Sequence, residues 1–301
     1  MPHQIGARKN GHFGGVKMKN NENFEEISRK REEKFAISNE LIQCQSSFSE
    51  TEFKCMEYML SLVKPDDTPE TEYEFDINEY WKIMGEDKGG RQADKIKDIL
   101  RSFATSSDSE DPKEPIFRHA ISLITEPETE PNSLKVKYRY TKEAARYIFN
   151  LKANYTIIEK SNLLIFKGKY SHRLYLLFKT VSGIKKSPFR KAYSINEFKS
   201  LMNISQTQYA GKDGKRNLRM RVIEPALYYI NAYSDLTVTY VIEKNKEGIE
   251  EIIFDVSRKD DKTMEMIKNT RNILLDSEIK NLKDEEDKTL CYANLLDEDG
   301  L

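Results

Sequence analysis

Apolar residues recur at helical spacing through "SETEFKCMEYMLSLV", where Phe53, Met56, Leu60 and Val63 share one side of the 3.6-residue period. Ser49 and Glu52 stand in the S-x-x-E relation of a capping box and mark the start; "KPDDTPE" marks the stop. "EYEFDINEYWKIMG" predicts a short strand running into a helix, with Asp76 as candidate N-cap. "GGRQADKIKDILRSF" predicts another helix, apolar along Ile96, Ile99, Leu100 and Phe103. A Pro- and Asp-rich loop over 105–115 follows. "PIFRHAISLI" and "SLKVKYRY" then predict two strands joined by the acidic loop "TEPETEPN", and 141–151 predicts a helix.

The same order then returns. "YSHRLYLLFKTVSG" predicts a helix with Ser171 as N-cap and Leu174, Leu177, Phe178 and Val181 inward. "KAYSINEFKSLMN" predicts strand then helix, with Ser194 and Glu197 as a second capping box. "NLRMRVIEPALYYIN" predicts a helix, and "LTVTYVIEK" and "IEEIIFDVS" predict strands around the turn "NKEG". "DINEYWKIM" at 76–84 lies over "SINEFKSLM" at 194–202. A match at one place in two identical element orders points to internal duplication.

Three helices and a two-stranded hairpin make a winged helix, a helix-turn-helix with an added wing. The predicted fold class is therefore α+β, two tandem winged-helix domains related by internal duplication. The expected division is a disordered or flexible segment over 1–36, a first domain over 37–155, a second over 156–259 and an acidic C-terminal tail over 260–301.

In such a unit the third helix enters the DNA major groove. In the second copy it spans 216–231, with Val222, Ile223, Ala226 and Ile230 predicted to be buried. Asn217 and Arg221 point the opposite way, with Met220 on the flank; Arg suits guanine N7 and O6, and Asn suits adenine N6 and N7. Arg219 falls towards the buried side of the wheel, from which it would snorkel to a phosphate or serve only structure. Pro225 should bend the helix beyond its reading portion. The first copy's third helix carries Asp94 and Asp98 and reads as a poorer groove binder.

Charge sharpens this picture. The net charge of the 301 residues is −1, yet 163–222 holds fourteen Lys and Arg against Glu197 and Asp213 alone. The stretch 66–87 is acidic, as is the chain beyond 276. Segregation this sharp can present one positive face to a polyanion despite a near-neutral total. Any single Lys or Arg on a helix is more often merely solvated; the cluster carries the argument.

Other chemistries find little support. No apolar run reaches the roughly 18 residues of a membrane span, and the N-terminus lacks the apolar core of a secretory signal. Met18 offers a second candidate start. Cys44, Cys55 and Cys291 are scattered, which fits a reducing cytoplasm and neither disulfides nor zinc. His3, His12, His119 and His172 form no His-x-His metal pair, so the tyrosines have no nickase setting. "GKDGK" lacks phosphate-loop spacing. His172 reads as a packing or phosphate-adjacent residue. No enzymatic activity, no cofactor and no metal is expected.

"SNELIQCQSSFSETEFKCMEYMLSLVKPDD", "KYSHRLYLLFK", "YSINEFKSLMNI" and above all "RVIEPALYYINAYSDLTVTY" resemble the iteron-binding plasmid replication initiators, the Rep proteins with two winged-helix domains. The resemblance spans about 37–258. It implies binding to directly repeated double-stranded DNA sites at a plasmid origin, promotion of origin opening, and recruitment of host replication proteins such as the replicative helicase. It also implies self-association as a dimer through the first domain, about 37–151, monomers on the repeats, and repression of the protein's own gene. The family's recognition helix falls on 216–231, so Lys215, Arg216, Asn217, Arg219 and Arg221 take the DNA role. Met220, Lys212 and the upstream Lys167, Lys169 and Arg173 complete the candidate DNA-binding set. The alternatives are a winged-helix transcriptional repressor without origin function, favoured by a lone inverted repeat beside the gene, and a nuclease or nickase, favoured by metal-dependent cutting of supercoiled DNA.

Overall fold

The computed structural model describes residues 26, 29–31, 33–43, 48–84, 90–105, 122–184 and 187–275. The first unit opens with strand β1 (Lys34–Ser38) and the short helix α1 (Asn39–Gln43). Helix α2 (Glu50–Ser61) follows, and its start carries the predicted capping box: the Glu52 amide donates to Ser49 Oγ and the Ser49 amide to Glu52 Oε2. Strand β2 (Tyr73–Asp76) runs directly into α3 (Ile77–Met84), where the Glu79 amide donates to Asp76 Oδ1 at 3.1 Å. Helix α4 (Gly90–Ala104) precedes β3 (Lys135–Tyr138), which pairs antiparallel with β2 in the register Tyr73 to Tyr138. Most of the predicted strand "PIFRHAISLI" lies outside the described residues, but Ile124 bridges Tyr140.

The predicted helix over 141–151 shrinks to α5 (Lys142–Ala145), capped by Thr141, whose Oγ1 accepts from the Ala144 amide. Turns follow, and Asn150 takes a left-handed φ of 51°, which helix geometry cannot continue. Strand β4 (Tyr155–Glu159) then returns to pair antiparallel with β1. The expected boundary at 155/156 thus falls at the start of a strand laddered to the head of the first unit.

The second unit repeats the plan. Helix α6 (Lys169–Ile184) leads to β5 (Phe189–Ser194), α7 (Ile195–Leu201) and a long third helix, α8. That helix runs through an α-helical stretch Gly214–Leu218, a π-helical stretch Arg219–Ile223 and an α-helical stretch Glu224–Tyr233. Strands β6 (Leu236–Lys244) and β7 (Glu250–Arg258) form the hairpin, and the sheet order is β5-β7-β6, all antiparallel. In both units the last residue of a strand, Asp76 of β2 or Ser194 of β5, is the N-cap of the next helix. That shared corner is what the 76–84 and 194–202 match encodes.

Three expectations are corrected. Helix α6 starts two residues before Ser171, whose buried hydroxyl donates to the Lys167 carbonyl at 2.8 Å. Gly168, at φ 80°, makes the turn there, and its amide donates to Glu50 across the units. The expected flexible N-terminal segment includes Arg31, which is buried and donates to the Ile83 and Lys82 carbonyls, both at 3.2 Å. A helix end leaves carbonyls unpaired, and this guanidinium answers them. The expected acidic tail begins instead as helix α9, residues 261–275, which buries Arg271 and Leu275. Residues beyond 275 lie outside the described set.

Both cores are aromatic. Tyr58 packs edge to face on both Phe75 and Tyr80 in the first unit, and Phe178, Phe198 and Phe254 meet in the second. Each such buried ring contributes roughly 1.5–3 kcal/mol by area alone. Helix α6 joins the two halves, packing on α1 and α2 as well as on α8. At the joint His172 is fully buried, stacked on Phe53 at 5.7 Å with Nδ1 2.9 Å from Glu57 Oε1. Of its two readings, the packing one is the one the structure shows.

Candidate nucleic-acid interface

Helix α8 is set into the second unit by Leu218, Val222, Ile223, Ala226, Leu227 and Ile230, all buried. They include every residue expected to face inward. Its start is fixed by backbone. A Cβ built on Gly214 would lie 2.0 Å from the Tyr209 carbonyl oxygen, so only glycine lets the preceding turn close over the helix. Tyr209 and Gly211, at φ 56° and 88°, bend that turn. The glycines of "GKDGK" therefore serve turning and close approach.

The outward face carries Lys215, Arg216, Arg219, Met220 and Arg221, all exposed, with Asn217 half-buried. Met220 is 52% exposed, a large apolar side chain held in water among cations. An apolar group so placed suits a thymine methyl, as the guanidinium beside it suits a guanine edge.

Arg219 departs from the wheel. Pro225 has no amide to give and its ring would crowd the Arg221 carbonyl. The chain widens into the π turn just ahead of it, where the Glu224 amide donates five residues back to the Arg219 carbonyl. Arg219, at the head of that turn, is exposed and reaches the surface along Glu224. Its Nε and Nη2 donate to Glu224 Oε1 at 3.2 and 3.0 Å, and Tyr240 of β6 donates to the same oxygen at 3.1 Å. This hydrogen bond raises the Arg219 pKa further above its ordinary value.

The hairpin stands beside this face. Lys215 is ion-paired with Glu250 at the foot of β7. The hairpin turn is built by Asn245, whose side chain accepts from the Glu247 and Ile249 amides, and by Gly248 at φ 81°. It presents Lys244 and Lys246 to solvent. Sequence reasoning passed over these two lysines, although two cations bracketing the tip of a wing were a readable signal.

The basic stretch does not form one undivided patch. Arg173 is buried, its guanidinium donating to the carbonyls of Leu201 and Ile42, so it serves the joint between the units. Lys199 is buried on the Gln206 carbonyl, Lys179 pairs with Asp235, and Arg190 grips Asp255 through two bonds at 2.8 and 2.9 Å. Lys185 and Lys186 lie outside the described residues. Lys167 is exposed and Lys169 half-exposed over the Tyr170 ring at 5.2 Å. The pairs at Lys215 and Arg219 are solvent-exposed, with about half of each cation's side chain in water. Exposed pairs contribute about 0–1 kcal/mol and exchange readily for a phosphate.

The acidic stretch 66–87 is partly answered within its own unit. Glu72 pairs with Lys137 and Arg139, Glu74 with Lys135, and Glu79 with Lys30. Among the described residues no group of three or more His, Cys, Asp or Glu is arranged to hold a metal, and no helix is long and apolar enough to cross a membrane.

Fold and face together define a tandem winged-helix protein of the α+β class, with one third helix dressed for a nucleic-acid groove. Two family models account for most of the chain: Initiator Replication protein, WH1, over 34–179, and Initiator Rep protein, WH2, over 194–256. The chain belongs to the family of replication initiator (Rep) proteins. A solved structure of the Pi initiator protein in complex with iteron DNA matches with a TM-score of 0.58 at 16% identity, covering 77% of this chain and 99% of that one. At that identity the likeness speaks for the fold. No curated protein matches the chain.

Proposed function

We propose that the protein initiates plasmid replication by binding directly repeated double-stranded DNA sites at an origin. The observation that carries this reading is α8, whose buried stripe leaves Arg216, Arg219, Met220 and Arg221 facing outward beside a two-stranded wing. In the reading, α8 lies in a major groove and Arg221 reads base edges with Asn217 and Met220. Lys167, Lys169, Lys212, Lys215 and the wing lysines Lys244 and Lys246 hold the phosphates on either side. The complex of the Pi initiator with iteron DNA supports repeats as the target, since that protein shares the same two-unit fold.

The first unit contributes differently. Helix α4, its counterpart of α8, carries Asp94 and Asp98, and Arg101 pairs with Asp98, so it offers less positive charge to DNA. We assign it to self-association and accessory backbone contact. The protein melts or marks the origin by binding, without cutting DNA, and hands it to host replication proteins. Footprinting of the full-length protein on DNA flanking its gene tests the reading. Protection of several direct repeats with one helical phase is expected. Protection confined to a single inverted repeat at the promoter would instead make it a repressor, and nicking of supercoiled DNA with magnesium or manganese would make it a nuclease.

A further inference from the structure

The far end of α8 is held in an unusual way. Its last carbonyls, at Ile230, Asn231 and Ser234, converge on one ammonium, Lys259 Nζ, at 3.5, 2.7 and 2.6 Å. Lys259 begins the segment after β7, outside the stretch that matches the second family model. Two residues on, helix α9 starts, and from it Arg271 enters the core with 1% of its surface exposed. Arg271 Nη1 donates to the Tyr233 carbonyl at 3.2 Å and to Asn162 Oδ1 at 2.7 Å. Asn162 belongs to the 3-10 turn Lys160–Asn162, which lies between β4 and α6 and links the two units. Asp235, just past the helix, accepts from Tyr175 and Lys179 of α6 at 2.8 and 2.7 Å. The end of the reading helix is thus tied to the linker, to α6 and to α9.

We propose that Lys259 and Arg271 are positioning residues for DNA reading: with α9 they clasp the C-terminal end of α8 to the linker and fix the angle at which its outward face meets the groove. The inference rests on the reading of α8 as the groove helix. A cation at a helix C-terminus satisfies unpaired carbonyls and the helix dipole together. Here the cations arrive from a separate segment, so the helix cannot tilt without breaking them. Burial lowers the Lys259 ammonium to about 8, as a desolvated cation held by neutral carbonyls requires. Neither residue is on the outward face of α8, so neither is placed to touch DNA itself.

The test uses full-length protein and two duplexes, one selected by the wild type from a random-sequence library and one of scrambled sequence. Lys259→Met and Arg271→Met should lower affinity for the selected duplex by about tenfold while changing scrambled binding little, and Lys259→Arg should restore most of the loss. Equal losses on both duplexes, or none, would overturn the clasp. Should Arg271→Met lose its fold by circular dichroism, Asn162→Ala, which removes the linker's acceptor for Arg271 together with its hydrogen bond to the Tyr175 hydroxyl, carries the same two outcomes. If the wild type selects no sequence at all, the failure belongs to the reading of α8 and not to the clasp.

Discussion

Arg221 and Arg219 sit two positions apart and should behave differently. Arg221→Ala should weaken binding to the selected site by roughly 1–3 kcal/mol and relax preference at one base position, as titration against single-base variants would reveal. Arg219 is shared with Glu224 and Tyr240, so Arg219→Ala should cost selected and random DNA alike. Gly214→Ala drives a methyl into the Tyr209 carbonyl and should destabilise the second unit by about 1–3 kcal/mol or more in urea unfolding. The outward positions of Arg221 and Met220 were legible because the apolar stripe of α8 obeys the helical period. Arg219 was not, because a wheel places the backbone and not the Glu224 and Tyr240 that hold the side chain at the surface. Arg173 misled for a different reason: sequence reports its charge but not the carbonyls that take it inside.

Helix starts were the most readable elements. Both capping boxes form as written, since S-x-x-E needs only local geometry. Ser194→Ala should therefore cost about 1 kcal/mol, measured as a shift of the unfolding midpoint, with the larger share falling on the second unit. Ser171 looked the same in sequence, yet the turn at Gly168 moved the start of α6 two residues upstream. The hairpin was legible from alternation and its "NKEG" turn; the wing-tip lysines were overlooked within it. Lys244→Glu with Lys246→Glu should weaken binding on any duplex and reduce the salt dependence, in keeping with phosphate contacts. Helix α9 escaped because its pattern is charged and its anchor is an arginine. A buried cation that caps a distant helix leaves no apolar period to find.

Tandem architecture was fully visible in the repeated order of elements, whereas the joint between the units depends on contacts far apart in sequence. Affinity should fall steeply with salt, by roughly 10³–10⁵ between 50 and 200 mM if about six to ten phosphates are neutralised. Stability should also depend on pH in two opposed ways. The unfolded chain binds the Lys259 proton more tightly than the folded one, so stability rises from about 8 towards the ordinary lysine value. Burial holds the Tyr138 and Tyr175 phenols above their unfolded value of about 10, so that contribution is complete below this pH and is lost above it. Urea midpoints should climb between pH 8 and about 10 and decline beyond, and Lys259→Met should flatten the climb.

Helix α6 belongs by order to the second unit, yet it is lodged against α1 and α2, and the match to the first-unit family model runs on to residue 179. It works as an axle with a bearing in each half. The peptide chain between the halves is therefore not what holds them together. A swing that let α6 slip from the bearing on α2 would uncover His172, which is now closed to water by Phe53 and Glu57.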